Sequence, residues 1–123
     1  MKYMILISSN PASRQIWESF SASQRAEGWE HYAALNEDLN ASGEMIVSEA
    51  LADPSLANRI YVREGQVMTS DGPFAEAKEH LAGFFLVECE SIERAVQIAA
   101  RVPEAALGLV EVRPVMNLGG TDL

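Results

Sequence analysis

The chain has 123 residues, a hydrophobic share of 48% and a formal net charge of −9. That size suits one domain, the apolar share suits an ordinary core and is too high for a disordered chain, and the acidic balance argues against a nucleic-acid backbone or an anionic membrane as partner. A single cysteine, Cys89, excludes an intrachain disulfide and a thiolate metal cluster, and its apolar surroundings predict an inert buried thiol.

Lys2 to Ser8 reads as the first strand. Tyr3, Ile5 and Ile7 point one way, Met4 and Leu6 the other, so both faces call for cover. Asn10-Pro11 closes it. Ser13, Ile16, Trp17 and Phe20 have helical spacing and predict a short helix over residues 11–20. Its aromatic side chains suit either a lid packed on the domain or the wall of a ligand pocket. The clearest helix runs from Ser23, a candidate cap, to Asn40. Trp29, Tyr32, Leu35 and Leu39 form its stripe, and Gly43 stops it. His31 lies about 100° round the helix from Tyr32, at the margin of that stripe.

Glu44 to Ala50 predicts a second strand, and Asp53-Pro54 a turn. Arg59 to Arg63 and Gln66 to Thr69 predict a hairpin around Glu64-Gly65. The densest chemistry follows, from Thr69 to His80. Asp71 can fold its carboxylate onto nearby amides, Gly72 permits positive φ, Pro73 fixes its own φ, and Phe74 can anchor the turn in a core. The turn is either a rigid connector or a mount for a carboxylate beside a pocket. Gly83 to Glu90 predicts another two-sided apolar strand, with Phe84 and Leu86 on one face and Phe85, Val87 and Cys89 on the other. Ser91 opens a helix with Ile92, Ala95, Ala99 and Val102 at helical spacing, and Pro103 ends it. Leu107 to Met116 predicts the last strand. The domain is expected to occupy residues 1–116, with 117–123 as a loose tail.

The order is strand–helix–strand, an inserted hairpin, then strand–helix–strand. This predicts an α+β chain with a ferredoxin-like split βαβ arrangement. Two helices can cover one face of such a sheet. The apolar second face predicts a homodimer through that face. No run approaches the length needed to span a bilayer, and Tyr3 to Ile7 is too short for a signal-peptide core. A cytoplasmic protein with no membrane partner is expected.

Candidate chemistry rests on His31, Tyr32, Asp71, Glu76, Lys78, Glu79 and His80. Two histidines and scattered carboxylates lack a compact ligand motif, so no metal site is expected. There is no phosphate-cradling glycine loop, no Gly-x-Ser-x-Gly elbow and no implied cofactor. Arg59, Arg63 and Arg113 suit cross-strand pairing with Glu64, Glu88 or Glu111, or capture of an anionic substrate.

Asp71-Gly72-Pro73-Phe74, followed by Ala75-Glu76-Ala77-Lys78-Glu79, resembles the signature of the DGPF subgroup of the YCII-related family. The likeness extends to Met1–Ile7, Gly83–Glu88 and Val110–Met116. Ala77 stands where that subgroup usually has threonine. The resemblance implies a dimeric α+β barrel that takes a compact organic molecule, unidentified, in the barrel or a helix–sheet cleft. It implies an acid–base pair of a first-helix histidine and an aspartate, here His31 and Asp71. Counting back from Gly43 places Tyr32 at the histidine's site instead. Tyr32, Phe74 and His80 are then expected against the substrate, in lyase or isomerase chemistry. A non-catalytic binding or regulatory accessory, for example of a sigma-factor system, is the alternative, and a domain kept for assembly is the third.

Overall fold

The computed structural model of the chain describes residues 1–73 and 78–118. The segment 74–77, with Phe74, Glu76 and Ala77, and the end of the tail, 119–123, lie outside the described residues. Six strands and three α-helices follow one another as β1 (Lys2–Ser9), α1 (Pro11–Ser19), α2 (Ala22–Ser42), β2 (Met45–Ala50), β3 (Asn58–Arg63), β4 (Gln66–Asp71), β5 (His80–Glu88), α3 (Ile92–Ala99) and β6 (Val110–Pro114). Short 3-10 helices cover Pro54–Leu56 and Pro103–Leu107. β1, β2, β5 and β6 form one antiparallel sheet in the order β2-β5-β1-β6, while β3 and β4 form a separate two-stranded arm. This is the ferredoxin-like α+β fold, with the arm inserted between its halves. No helix among the described residues is long and apolar enough to cross a membrane.

Register puts the core on one face. Tyr3 pairs with Val87, and Ile5 with Phe85 and Val112. Tyr3, Ile5, Ile7, Phe85 and Val87 are buried beneath Leu35 and Leu39 of α2 and Ala95, Ile98 and Ala99 of α3. Cys89 joins this core, and burial pushes its thiol pKa up. The alternate residues form the opposite face. There Met4 pairs with Leu86, Leu6 with Phe84, and Val47 with Leu86. These side chains are half-buried, apart from the more exposed Val47. No helix among the described residues covers them.

Caps set the helix ends. α2 starts two residues earlier than the Ser23 cap expected from sequence. Ser21 Oγ accepts from the Gln24 amide at 3.2 Å, and Gln24 Oε1 accepts from the Ser21 amide at 2.8 Å. Ser23 has Ala26 three residues on and cannot make this reciprocal box. Gly43 ends the helix at φ 79°. α3 is shorter than its apolar spacing suggested, and Pro103–Leu107 winds as a 3-10 helix, so β6 starts at Val110 rather than Leu107. β5 starts earlier than expected, at His80, with a bulge opposite Ile7/Ser8. Arg94 Nε and Nη2 grip Glu44 at 2.9 and 2.8 Å, tying α3 to the start of β2. That fork holds the Glu44 carboxyl below its usual range.

Two glycines are tied to position. Gly72 adopts φ 82° and donates its amide to the Ala57 carbonyl at 2.6 Å, closing the root of the arm. A methyl group at Gly83 would lie 2.9 Å from the Glu49 carbonyl oxygen, so β2 could not approach β5 as it does. In chemical denaturation Gly72→Ala is expected to cost about 1 kcal/mol. Gly83→Ala is expected to cost about 2 kcal/mol, in the range of overpacking changes. A neutral Gly83→Ala would show that β2 can move away without loss.

Candidate functional site

α2 has 21 residues, and only its C-terminal half lies over the sheet, where Leu35 and Leu39 are its buried residues. Tyr32 sits at the transition. Its ring stacks on Phe85, with centroids 6.3 Å apart and planes 6° from parallel. Its hydroxyl donates to Glu104 Oε2, which the Pro103–Leu107 turn presents. Burial, then the hydrogen bond and charge of Glu104, push the Tyr32 pKa far above the ordinary phenol value. Tyr32 is therefore a fixed neutral donor near neutral pH. It can orient a carboxylate or offer its ring edge to a ligand, but it is not poised as a base. Glu104 was not singled out from sequence. It lies 72 positions from Tyr32, and a lone acid after a proline carries no spacing signal.

The N-terminal half of α2 overhangs the sheet and packs with α1 instead. Trp17 and Trp29 meet edge to face at 5.4 Å, and Trp29 and Tyr32 lie tilted by 45° with centroids 6.3 Å apart. The Arg25 guanidinium stands 5.5 Å over the Trp17 ring and donates to the Trp17 and Glu18 carbonyls at the end of α1. Trp29 remains 58% exposed, so the stripe expected from sequence is core only from Tyr32 onward. α1 has no buried residue, and its Trp17 packs on Trp29 of the overhang and on Phe20 at its own end rather than in the main core. His31 rides on this overhang and is exposed.

A concavity lies at the foot of the arm. It has a volume of about 320 Å³ and is lined by Leu51, Pro54, Leu56, Pro73, His80 and Leu81, among others. His80 opens β5 opposite Ser9 and is half-buried. Asp53 also lines this space, but Ser55 engages its carboxylate, first through its side chain and then through its amide at 2.9 Å, and this holds the Asp53 pKa down. Asp71 ends β4 opposite Asn58 and is exposed. His31 and Asp71 share no hydrogen bond or ion pair among the described residues.

Lys78 and Glu79, just before His80 in the chain, are exposed. Among the described residues no group of three or more metal-ligating side chains comes together. The expected cross-strand pairing is not what Arg63 and Arg113 do. Arg63 donates to the Tyr61 hydroxyl at 3.1 Å and stands over its ring, while Arg113 lies 4.0 Å from Glu111 on its own strand, both exposed.

A ferredoxin-like sheet with helices on one face, an inserted arm and a polar pair at the helix–sheet boundary defines the class of protein. The model of the YCII-related domain matches residues 1–118, so the chain belongs to that family. An uncharacterised protein of Rhizobium meliloti (strain 1021) is 44% identical over 52 residues, which is 41% of this chain and 42% of the relative.

The Tyr32–Glu104 bond gives a pH test. The unfolded phenol titrates near 10.0, and the folded one well above it. Stability from the neutral phenol is fully present below pH 10 and is lost as pH rises from there toward the folded value. Tyr32→Phe should cost about 1–3 kcal/mol at neutral pH, by leaving Glu104 without its donor. It should also flatten the alkaline limb of the stability profile. An unchanged limb would separate Tyr32 from alkaline unfolding.

Proposed function

We propose that the chain is a small-molecule-binding member of the DGPF subgroup, working as a homodimer through its open sheet face, with the ligand seated in the groove at the foot of the arm. One observation carries the binding site: His80 is a half-buried ionisable side chain set in an otherwise mostly apolar wall of about 320 Å³. That is the lower end of the size range of small-ligand sites, and the pattern of one polar contact in an apolar wall is theirs too. Pro73 of the subgroup's signature lines the same space. The ligand class this favours is a compact organic molecule with an apolar body and one hydrogen-bonding group. The dimer reading is supported by the row Met4, Leu6, Phe84 and Leu86, apolar and without a covering helix.

Lyase or isomerase chemistry through His31 and Asp71 would need the two brought together by ligand or by a second copy. An acid–base pair of Asp71 and His80 is closer to the groove. A non-catalytic binding module is the second reading, favoured by the exposure of both His31 and Asp71. NMR titration of both histidines in the parent and in Asp71→Asn separates these readings. A lower His31 pKa in the variant supports the first pair, because removing a nearby negative charge disfavours the imidazolium. A lower His80 pKa supports the second pair, and no change supports the binding module. The groove is tested by amide shifts on adding a library of small organic acids and amides. Shifts are expected at residues 51–57, His80 and Leu81; shifts confined to other regions would overturn the site.

A further inference from the structure

We infer that the groove at the foot of the arm takes a small monocarboxylate, with its carboxylate held by Arg14, Ser9 and His80 and its apolar body laid against Leu51, Leu56 and Leu81. The inference deepens the proposed ligand site and rests on it. Arg14 is the starting point. The chain has 18 acidic residues against 9 lysines and arginines, so an arginine has acids to spare. Arg94 takes Glu44, and Arg101 takes Asp38. Arg14 is half-buried, yet it forms no ion pair among the described residues. Its guanidinium makes one hydrogen bond there, from Nη1 to Ser9 Oγ at 3.3 Å. A guanidinium has five N–H donors and a fixed charge, and a single bond to a hydroxyl leaves most of that unanswered.

Register brings His80 to the same place. Ser9 and His80 face each other across β1 and β5, and side chains directly opposite on one face stand about 5 Å apart. Among the described residues the His80 ring has no hydrogen-bond partner. Ser9 Oγ accepts from Arg14 and keeps its own O–H to donate. Donors from α1, β1 and β5 therefore converge on the part of the groove that His80 lines. Asp53 gives a second link between Arg14 and this space. Its carboxyl is held down first by Ser55, through side chain and amide, and also by the charge of Arg14. No ion pair joins the two. Arg14 thus reaches the edge of the groove without being taken up by the acid that lines it.

The start of α1 calls for the same charge. The Arg14 amide donates to the Asn10 carbonyl at 3.0 Å, the opening bond of the helix, and the first turn holds no acidic residue. Positive partial charge gathers at a helix start, which favours an anion and disfavours an arginine. A bound carboxylate answers both. It accepts a two-pronged grip from a guanidinium and has lone pairs left for a hydroxyl and an imidazole donor. The wall selects what the carboxylate is attached to. Leu51, Leu56 and Leu81 are 48%, 70% and 44% exposed, and they gain by covering a hydrocarbon, not a bare inorganic ion. The net charge of −9 disfavours a doubly charged acid. One carboxylate on a compact apolar body meets all of these demands.

NMR titration of the full chain with matched acids and amides tests this: benzoate against benzamide, and cyclohexanecarboxylate against cyclohexanecarboxamide. Each acid should shift residues 51–57, His80 and Leu81, and bind about tenfold or more tighter than its amide, as a charge-assisted pair would. Arg14→Gln removes the charge and keeps a polar side chain. It should bring the acid down to the affinity of the amide and leave the amide unchanged, while Arg14→Lys should keep part of the preference. Equal binding of acid and amide at those residues overturns the carboxylate and leaves the groove standing as a ligand site. A preference for the acid that survives Arg14→Gln overturns Arg14 as the anchor. Inorganic phosphate that displaces benzoate at equal concentration overturns the apolar acid in favour of a simple anion. Absence of shifts at residues 51–57 with every probe overturns the groove itself, and this inference with it. The ratio of acid to amide in the parent needs no variant, so the test stands even where Arg14→Gln loses its fold.

Discussion

The pairing of Ile5 with Phe85 and Val112 at the centre of the sheet is the contact on which the rest depends. It places every odd residue of β1 from Tyr3 to Ile7 under the helices, and fixes Phe85 as the platform for Tyr32. A shift of one residue would exchange the two faces, because side chains alternate with a period of two. The strong register follows from the identity of the side chains: Tyr3, Ile5, Ile7, Phe85 and Val87 match the volume beneath α2 and α3, and the alternate set includes Glu111 and Arg113 on β6.

Helical cover is limited by length and position. α3 is short and densely buried, with three of its eight residues in the core. α2 is long but contributes two, because half of it runs past the sheet. That overhang is stabilised locally, by the Ser21–Gln24 box, by Arg25 on the last carbonyls of α1 and by the contact of Trp17 with Trp29. Local stabilisation of this kind leaves side chains exposed. It accounts for Trp29 and His31 standing in solvent on a helix whose other half is core.

Among the described residues, two neighbourhoods hold the polar groups that bear on a site. Tyr32 and Glu104 face each other at the boundary of helix and sheet, committed to one another. His80 lines an apolar wall at the foot of the arm, where Asp53 is engaged with its own turn. A committed pair fixes geometry, whereas an ionisable group in an apolar wall is available to a ligand. This difference is why the proposed ligand site is built around His80 and not around Tyr32.

Much of this molecule was legible in its residues. The alternation in Tyr3–Ile7 and Phe84–Val87, the Glu64-Gly65 turn and the glycine stop at Gly43 are local signals, set by backbone sterics and by the two-sided geometry of a strand, and they determine the elements and their order. The resemblance carried by Asp71–Pro73 and its neighbours pointed to the YCII-related family that residues 1–118 match. What the residues alone did not determine is which parts of each element receive cover. Helical spacing put Trp29 and Leu39 in one stripe, yet only the tertiary structure decides where the sheet ends beneath α2. The partnership of Tyr32 with Glu104 is likewise a product of folding. Hydrogen bonds act over about 3 Å, so a pair separated by 72 positions is created only when folding brings the Pro103–Leu107 turn against the middle of that helix.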